Sequence, residues 1–444
     1  MDSSCCSVSP GIIVSRYSLV FRLLLYIFAG VNVFSMAGCK ANLCRAEDPS
    51  CDAISAVLLA SSIQCTYRSS WSKIGSTEGN PDGLVAVTFS SIVQGPDGAL
   101  YAGGEASNGN DAAVVMRSDD NGANWVTEWL HQPTVNPAAI TQMFRAADGS
   151  LLAIGNHNPD STNTEVFVAR KPPGGSFSIV SAYERQNTHV SRALNATLSS
   201  TGTIYAVGNA ADAVDIAGIV LSSGGDYSTL NARTLLNDGA NPVLFSAAFP
   251  DSDASISVAG FIDLGASKDF TVGISESNGT YTTIVRDTLN CCLGDPELHD
   301  PTGLYRLSNG NLIMGLTPGT SLADIRATVM EIAPNGSYFR TEVSPAAGAA
   351  TSLKIHGNSQ VVSQFLPSGA TGTAQVSIRK PGESGFTVSF PANTDGIILN
   401  DAPEESIRLV ETHLLDNGDL VMPLPIHNSI VASEPAWFYR LSCR

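Results

Sequence analysis

Thr201-Gly202-Thr203-Ile204-Tyr205-Ala206-Val207-Gly208 is a polar glycine turn that runs into a short apolar strand closed by a second glycine. The arrangement recurs along the chain. Asp97-Gly98 precedes Ala99–Gly103, Asp148-Gly149 precedes Leu151–Gly155, and Asp251-Ser252-Asp253 precedes Ile256–Gly260. Asn309-Gly310 precedes Leu312–Gly315, Gly357-Asn358 precedes Val361–Ser363, and Asn417-Gly418 precedes Leu420–Met422. Asp-Gly and Asn-Gly between apolar runs are the turn chemistry of antiparallel hairpins. A second series interleaves with the first. Trp125, Phe177, Tyr227, Tyr281, Tyr338 and Phe386 each follow a glycine turn, and Trp71 opens the series. Successive aromatics are 48 to 57 residues apart.

A period near 50 with four strands per unit predicts a β-propeller. Residues 71–444 divide into seven units of about 53 residues. The last unit ends with Ala436-Trp437-Phe438-Tyr439-Arg440-Leu441-Ser442 and lacks an outer strand, which Trp71-Ser72-Lys73-Ile74 can supply. Joining the two ends closes the ring and removes its open edge. The expected architecture is therefore an all-β, seven-bladed propeller of four-stranded antiparallel blades, closed by the N-terminal strand. In this alignment Cys65 and Cys443 both fall at the closing turn, so a Cys65–Cys443 disulfide is expected.

Composition narrows the function. Lys and Arg number 24 against 41 Asp and Glu, a net charge of −17, and no basic cluster is present. Nucleic acid, which needs a basic face, is excluded as a partner. Charged residues make up only 15% of the chain, which excludes coiled coils and charged disordered tails. No phosphate-binding loop, dinucleotide fingerprint, nucleophile elbow or calcium-loop repeat is present, and no cofactor is expected. A monomer is expected.

The amino terminus reads as an export signal, residues 1–38. Arg16 and Arg22 precede the apolar run Leu23–Phe34, which at about 12 residues is too short to span a bilayer. Ala37-Gly38-Cys39 resembles a bacterial lipobox. That resemblance implies lipidation of Cys39, a tether over residues 39–70 and anchorage of the propeller, 71–444, at the bacterial envelope. An even set of six further cysteines suits an oxidising compartment.

Ser118-Asp119-Asp120-Asn121-Gly122-Ala123-Asn124-Trp125 matches S-x-D-x-G-x-x-W and resembles the Asp-box, or BNR repeat, of sialidases. Ser118 and Asp120 can bond the turn backbone, Gly122 can take a positive φ, and Trp125 can pack beneath the turn. The resemblance implies a peripheral structural motif and a propeller fold. It also raises sialidase chemistry, in which an Arg triad holds a carboxylate beside a Tyr–Glu pair and an Asp. The first Arg of that family sits in a Phe/Tyr-Arg-Ile-Pro motif. Tyr305-Arg306-Leu307-Ser308 lacks the Pro and places Arg306 at the wrong end of its strand; Phe144-Arg145-Ala146 fails alike. The family also commonly has six blades rather than seven.

Ligands of propellers sit where the innermost strands begin. Thr88, Gln142, His189 with Arg192, Phe245, His299 with Asp300, Thr351, and Glu404-Glu405 with Arg408 lie at those positions. The loop Cys291–Asp300 is the richest, carrying Asp295, Glu297, His299 and Asp300 beside two adjacent cysteines. Its readings are a polar or divalent-metal site, with Arg192 and Arg408 clamping an anion, or a solvated acidic loop beside a vicinal disulfide; no metal is assigned. Glu411 and His413 share a strand face by period two and suit the central channel. No catalytic residue is assigned. The expected function is an envelope-anchored recognition module for a glycan or protein ligand, with a sialidase-like glycoside hydrolase as the alternative and a structural envelope component as a third.

Overall fold

The computed structural model describes residues 71–443 apart from 78–83, 85, 108–110, 134–136, 160–162, 186–189, 212–214, 240, 253, 266, 290–300, 320–323, 357–358, 369–370, 392–410 and 426–435. Twenty-eight strands, β1 to β28 in chain order, make seven four-stranded antiparallel sheets. The molecule is a seven-bladed β-propeller. The innermost strands are β2 (Ala86–Gln94), β6 (Ala138–Arg145), β10 (Ser191–Leu198), β14 (Val243–Pro250), β18 (Thr302–Arg306), β22 (Ala349–His356) and β26 (His413–Leu414).

Six blades run from inner to outer strand in chain order, and the seventh has the order β26-β27-β28-β1. In it β1 (Ser72–Ser76) pairs with β28 (Ala436–Leu441), with Ser72 opposite Arg440 and Ser76 opposite Trp437. The Thr77 N–H donates to the Ala436 carbonyl at 3.0 Å, and the Ala436 N–H donates to Thr77 Oγ1 at 2.9 Å. Trp71 is buried beside Leu420, Met422 and Tyr439. The ring therefore closes as the sequence predicts. Cys443 is disulfide-bonded. Its expected partner Cys65 lies outside the described residues, as do Cys39, the signal and tether segments, and the Cys291-Cys292 pair.

Each sheet packs against its neighbours, so the middle strands carry long buried apolar runs. Leu151–Gly155 and Leu312–Leu316 are wholly buried. One seam joins blade 7 to blade 1 through Val421, Phe438, Val87, Leu100 and Val114. Apolar burial of this kind contributes roughly 25 cal/mol per Å².

A regular defect shapes the channel. In six blades the innermost strand slips register against its neighbour, at Phe89/Ser91, Ile140/Gln142, Ala193/Asn195, Phe245/Ala247, Thr302/Leu304 and Ala350/Ser352. Each slip is a bulge, which leaves one residue unpaired and bends the strand. Three of the unpaired residues carry hydroxyls that reach the next blade. Ser90 donates to the Ile140 carbonyl, Thr141 to the Ala193 carbonyl at 3.3 Å and Ser246 to the Pro301 carbonyl at 3.0 Å. The bulge also explains the glycine that closes the apolar run in blades 2 to 4. A Cβ on Gly208 would stand 1.8 Å from the Arg192 carbonyl oxygen, and one on Gly260 would stand 1.9 Å from that of Leu244. Blade 6 has Gln364 at this place, opposite Ala350, and its Nε2 donates to Ser377 Oγ at 2.7 Å.

The Ser118–Trp125 turn is hydrogen-bonded as its sequence suggests. Ser118 Oγ accepts from the Gly122 N–H and Asp120 Oδ1 from the Asn124 N–H, each at 2.8 Å. These bonds hold the Asp120 carboxylate down at a pKa of about 2, first through the Asn124 backbone N–H. Gly122 takes φ 96°, and Trp125 is buried with its ring stacked 4.2 Å from Phe438. The turn connects the two outermost strands of blade 1, away from the channel.

Candidate functional site in the central channel

The innermost strands of blades 2 to 6 surround a cavity of about 530 Å³ that Glu411 of blade 7 also lines. Its charged groups are Arg192 on β10, Lys354 on β22 and Glu411; Gln142, Ser246 and Tyr305 add polar atoms. Two cations thus stand against one carboxylate, in a chain whose net charge is −17.

Lys354 Nζ donates to Glu411 Oε1 at 2.8 Å, with side chains 22% and 23% exposed. Burial alone would lower the Lys354 pKa, but the Glu411 charge beside it carries the ammonium above its ordinary value. The ammonium is therefore retained at neutral pH. Burial pushes the Tyr305 phenol up; the Lys354 charge opposes this and Glu411 reinforces it. Tyr305 is thus a neutral O–H donor at neutral pH. Arg192 is exposed to the cavity and makes no ion pair among the described residues.

Of the residues the sequence pointed to, Arg192, Gln142, Thr351 and Glu411 line this cavity. His189, Asp295, Glu297, His299, Asp300 and Arg408 lie outside the described residues. Phe245 is fully buried in a seam between blades rather than facing a ligand. His413 lies near enough to Glu411 and Lys354 to feel both charges but does not line the cavity. It is 3% exposed, its Nε2 has no hydrogen-bond partner among the described residues, and burial lowers its pKa to about 4. Lys354 was not singled out in the sequence, where it reads as an ordinary polar position in Ser352–His356. Among the described residues no group of three or more His, Cys, Asp or Glu is placed to hold a metal ion.

The arginines of the two near matches to the sialidase motif are committed elsewhere. Arg306 pairs with Asp251 and donates to Ser257 Oγ and the Gly310 carbonyl, at the far end of its strand. Arg145 pairs with Asp416 at 2.7 Å.

No protein-family model matches the chain. No curated protein matches it. Solved structures do. The polysaccharide lyase Uly1 is 10% identical, covers 84% of this chain and 92% of its own, and superposes with a TM-score of 0.52. A polysaccharide lyase described as an ulvan lyase, solved bound to a GlcA-containing repeat, is 9% identical over 85% of this chain and 96% of its own, with a TM-score of 0.51. The α-L-arabinofuranosidase of Fusarium graminearum with arabinobiose is 12% identical over 83% and 97%, with a TM-score of 0.45.

These findings correct the expectation of a non-catalytic recognition module. The similar propellers are glycan-active enzymes, and the channel holds a charged pair of opposite sign beside a phenol rather than a broad face of exposed aromatics.

Proposed function

We propose that the chain is a glycan-active enzyme that cleaves an acidic polysaccharide in the propeller channel by β-elimination. The observation that carries this reading is the Lys354–Glu411 pair, set on the channel cavity with the Tyr305 phenol and the exposed Arg192 guanidinium. The similar solved polysaccharide lyases support it as analogy of fold.

The chemistry follows from the lining. An acidic sugar brings a carboxylate next to the proton that must leave. Arg192 offers that carboxylate a planar, permanently charged partner, which makes the neighbouring C–H more acidic. Glu411 is the base that takes the C5 proton. The electron pair forms the C4–C5 double bond as the C4–O bond breaks, and the departing oxygen takes its proton from Tyr305. Lys354 holds Glu411 in place. Hydrolysis by paired carboxylates requires a second carboxylate across the bond, and Glu411 stands alone among the described cavity residues. An export signal over residues 1–38 would set this activity outside the cytoplasm, where polysaccharides are met.

The test is incubation of the full-length protein with glucuronate-, galacturonate- and mannuronate-rich polymers and with neutral arabinan. Ultraviolet absorbance reports an unsaturated uronyl end, and reducing-end release reports any cleavage. Absorbance is expected with an acidic polymer, and Glu411→Gln is expected to lower it by about 10²- to 10⁴-fold. Reducing ends without absorbance would replace elimination by hydrolysis. No cleavage of any polymer would overturn the reading.

A further inference from the structure

Blade 7 is held at the channel in its own way. Its innermost strand β26 is two residues long, whereas the innermost strands of the other blades have five to nine. Only His413 and Leu414 pair with β27 (Leu420–Pro425), so Glu411, just before the strand, lies outside the ladder.

Three buried hydroxyls occupy the seam beside it. Ser352 is 3% exposed, and Ser363 and Thr412 are fully buried. Ser352 Oγ donates to Ser363 Oγ at 3.0 Å, and Ser363 shares a short hydrogen bond with Thr412 Oγ1. Ser352 Oγ also accepts from the Thr412 N–H at 3.4 Å. The same seam holds Val361, Leu420 and Leu414, so apolar side chains suit its shape. Buried hydroxyls cost free energy unless they are bonded to one another, and this set is. Ser352 and Lys354 are two residues apart on β22 and so share a face. One strand of blade 6 therefore grips both the backbone next to Glu411 and the Glu411 carboxylate.

We infer that Thr412, with Ser352 and Ser363, is a positioning residue that sets the Glu411 carboxylate against the Lys354 ammonium. The inference rests on the reading of Glu411 as the base. Its test does not depend on turnover. The full-length protein is acylated with an amine-reactive ester at neutral pH, and labelling of each lysine is read by peptide mass spectrometry. Loss of the buried hydrogen bonds of either hydroxyl, in Thr412→Val or Ser352→Ala, is expected to raise Lys354 labelling about tenfold relative to Lys380. Thr412→Ser, which keeps the hydroxyl, is expected to label as the parent does. Unchanged Lys354 labelling in Thr412→Val would overturn the inference, and so would an equal rise at Lys171 and Lys380, which would report general loosening. In the cleavage assay kcat of Thr412→Val is expected to fall about tenfold with KM unchanged. A parent protein that cleaves nothing counts against the proposed activity, while the labelling still decides the positioning role.

Discussion

Acid should unfold this propeller partly through one imidazole. His413 is 3% exposed, its Nε2 has no hydrogen-bond partner among the described residues, and its pKa is about 4 against 6.5 for the free side chain. Burial is the main cause; the Lys354 charge adds to it, and Glu411 opposes it. The folded pKa is depressed, so between pH 6.5 and 4 the unfolded chain binds the proton that the folded chain refuses. Stability from this group is complete above about pH 6.5 and is lost as pH falls towards 4. The difference of about 2.5 units at 1.36 kcal/mol each corresponds to about 3 kcal/mol. That is a large share of the roughly 5–15 kcal/mol that holds a domain together. His413→Phe removes the titration and keeps a ring in the seam. Urea unfolding at pH 7.0, 5.5 and 4.5 should find the variant within about 1 kcal/mol of the parent at neutral pH. It should exceed the parent by about 2 to 3 kcal/mol at the lowest pH. Carboxylates and the other histidines titrate in both proteins and cancel in the difference. A difference that stays flat across the three pH values would refute the reasoning.

Gly260→Ala should lower stability by about 1–3 kcal/mol, because its Cβ would press on the Leu244 carbonyl; Gly225→Ala, in open space, should not, and thermal melts of the two compare them directly. Asp120→Ala should lower the melting temperature at neutral pH, and the penalty should shrink as pH falls from 4 towards 2, where the parent carboxyl itself gains a proton. Peptide mapping of unreduced protein should recover Cys443 linked to Cys65; Cys443 joined to any other cysteine would remove that pairing.

The fold was legible because its signals are local. Gly98, Gly149, Gly202, Gly310 and Gly418 take positive φ at the turns where their Asp-Gly, Thr-Gly and Asn-Gly pairs announced hairpins. Local reading also had limits. In blades 2 and 6 the left-handed residue is Gly174 or Gly382, not the glycine nearest the aromatic, and in blade 3 Tyr227 itself takes φ 65°. Arg192 was legible as a cation at the start of an innermost strand. Lys354 was not, because its meaning depends on Glu411, 57 residues away in the next blade. The bulges were invisible as well. A register slip belongs to two strands at once, and only its glycine partner leaves a trace in the sequence. Period-two reasoning joined Glu411 to His413; His413 feels the charges of both Glu411 and Lys354, but it is buried while Glu411 lines the cavity.

The closing strand has a consequence in time. Thr77 and its partner Ala436 are 359 residues apart. At about 5–20 residues per second, synthesis brings the second to the first only after roughly 20 to 70 seconds. Until then β1 is an unpaired ribbon and blade 7 does not exist. The ring is therefore sealed only once β28 has been made, and a chain cut short anywhere before β28 keeps an unpaired edge that a neighbouring copy can seize.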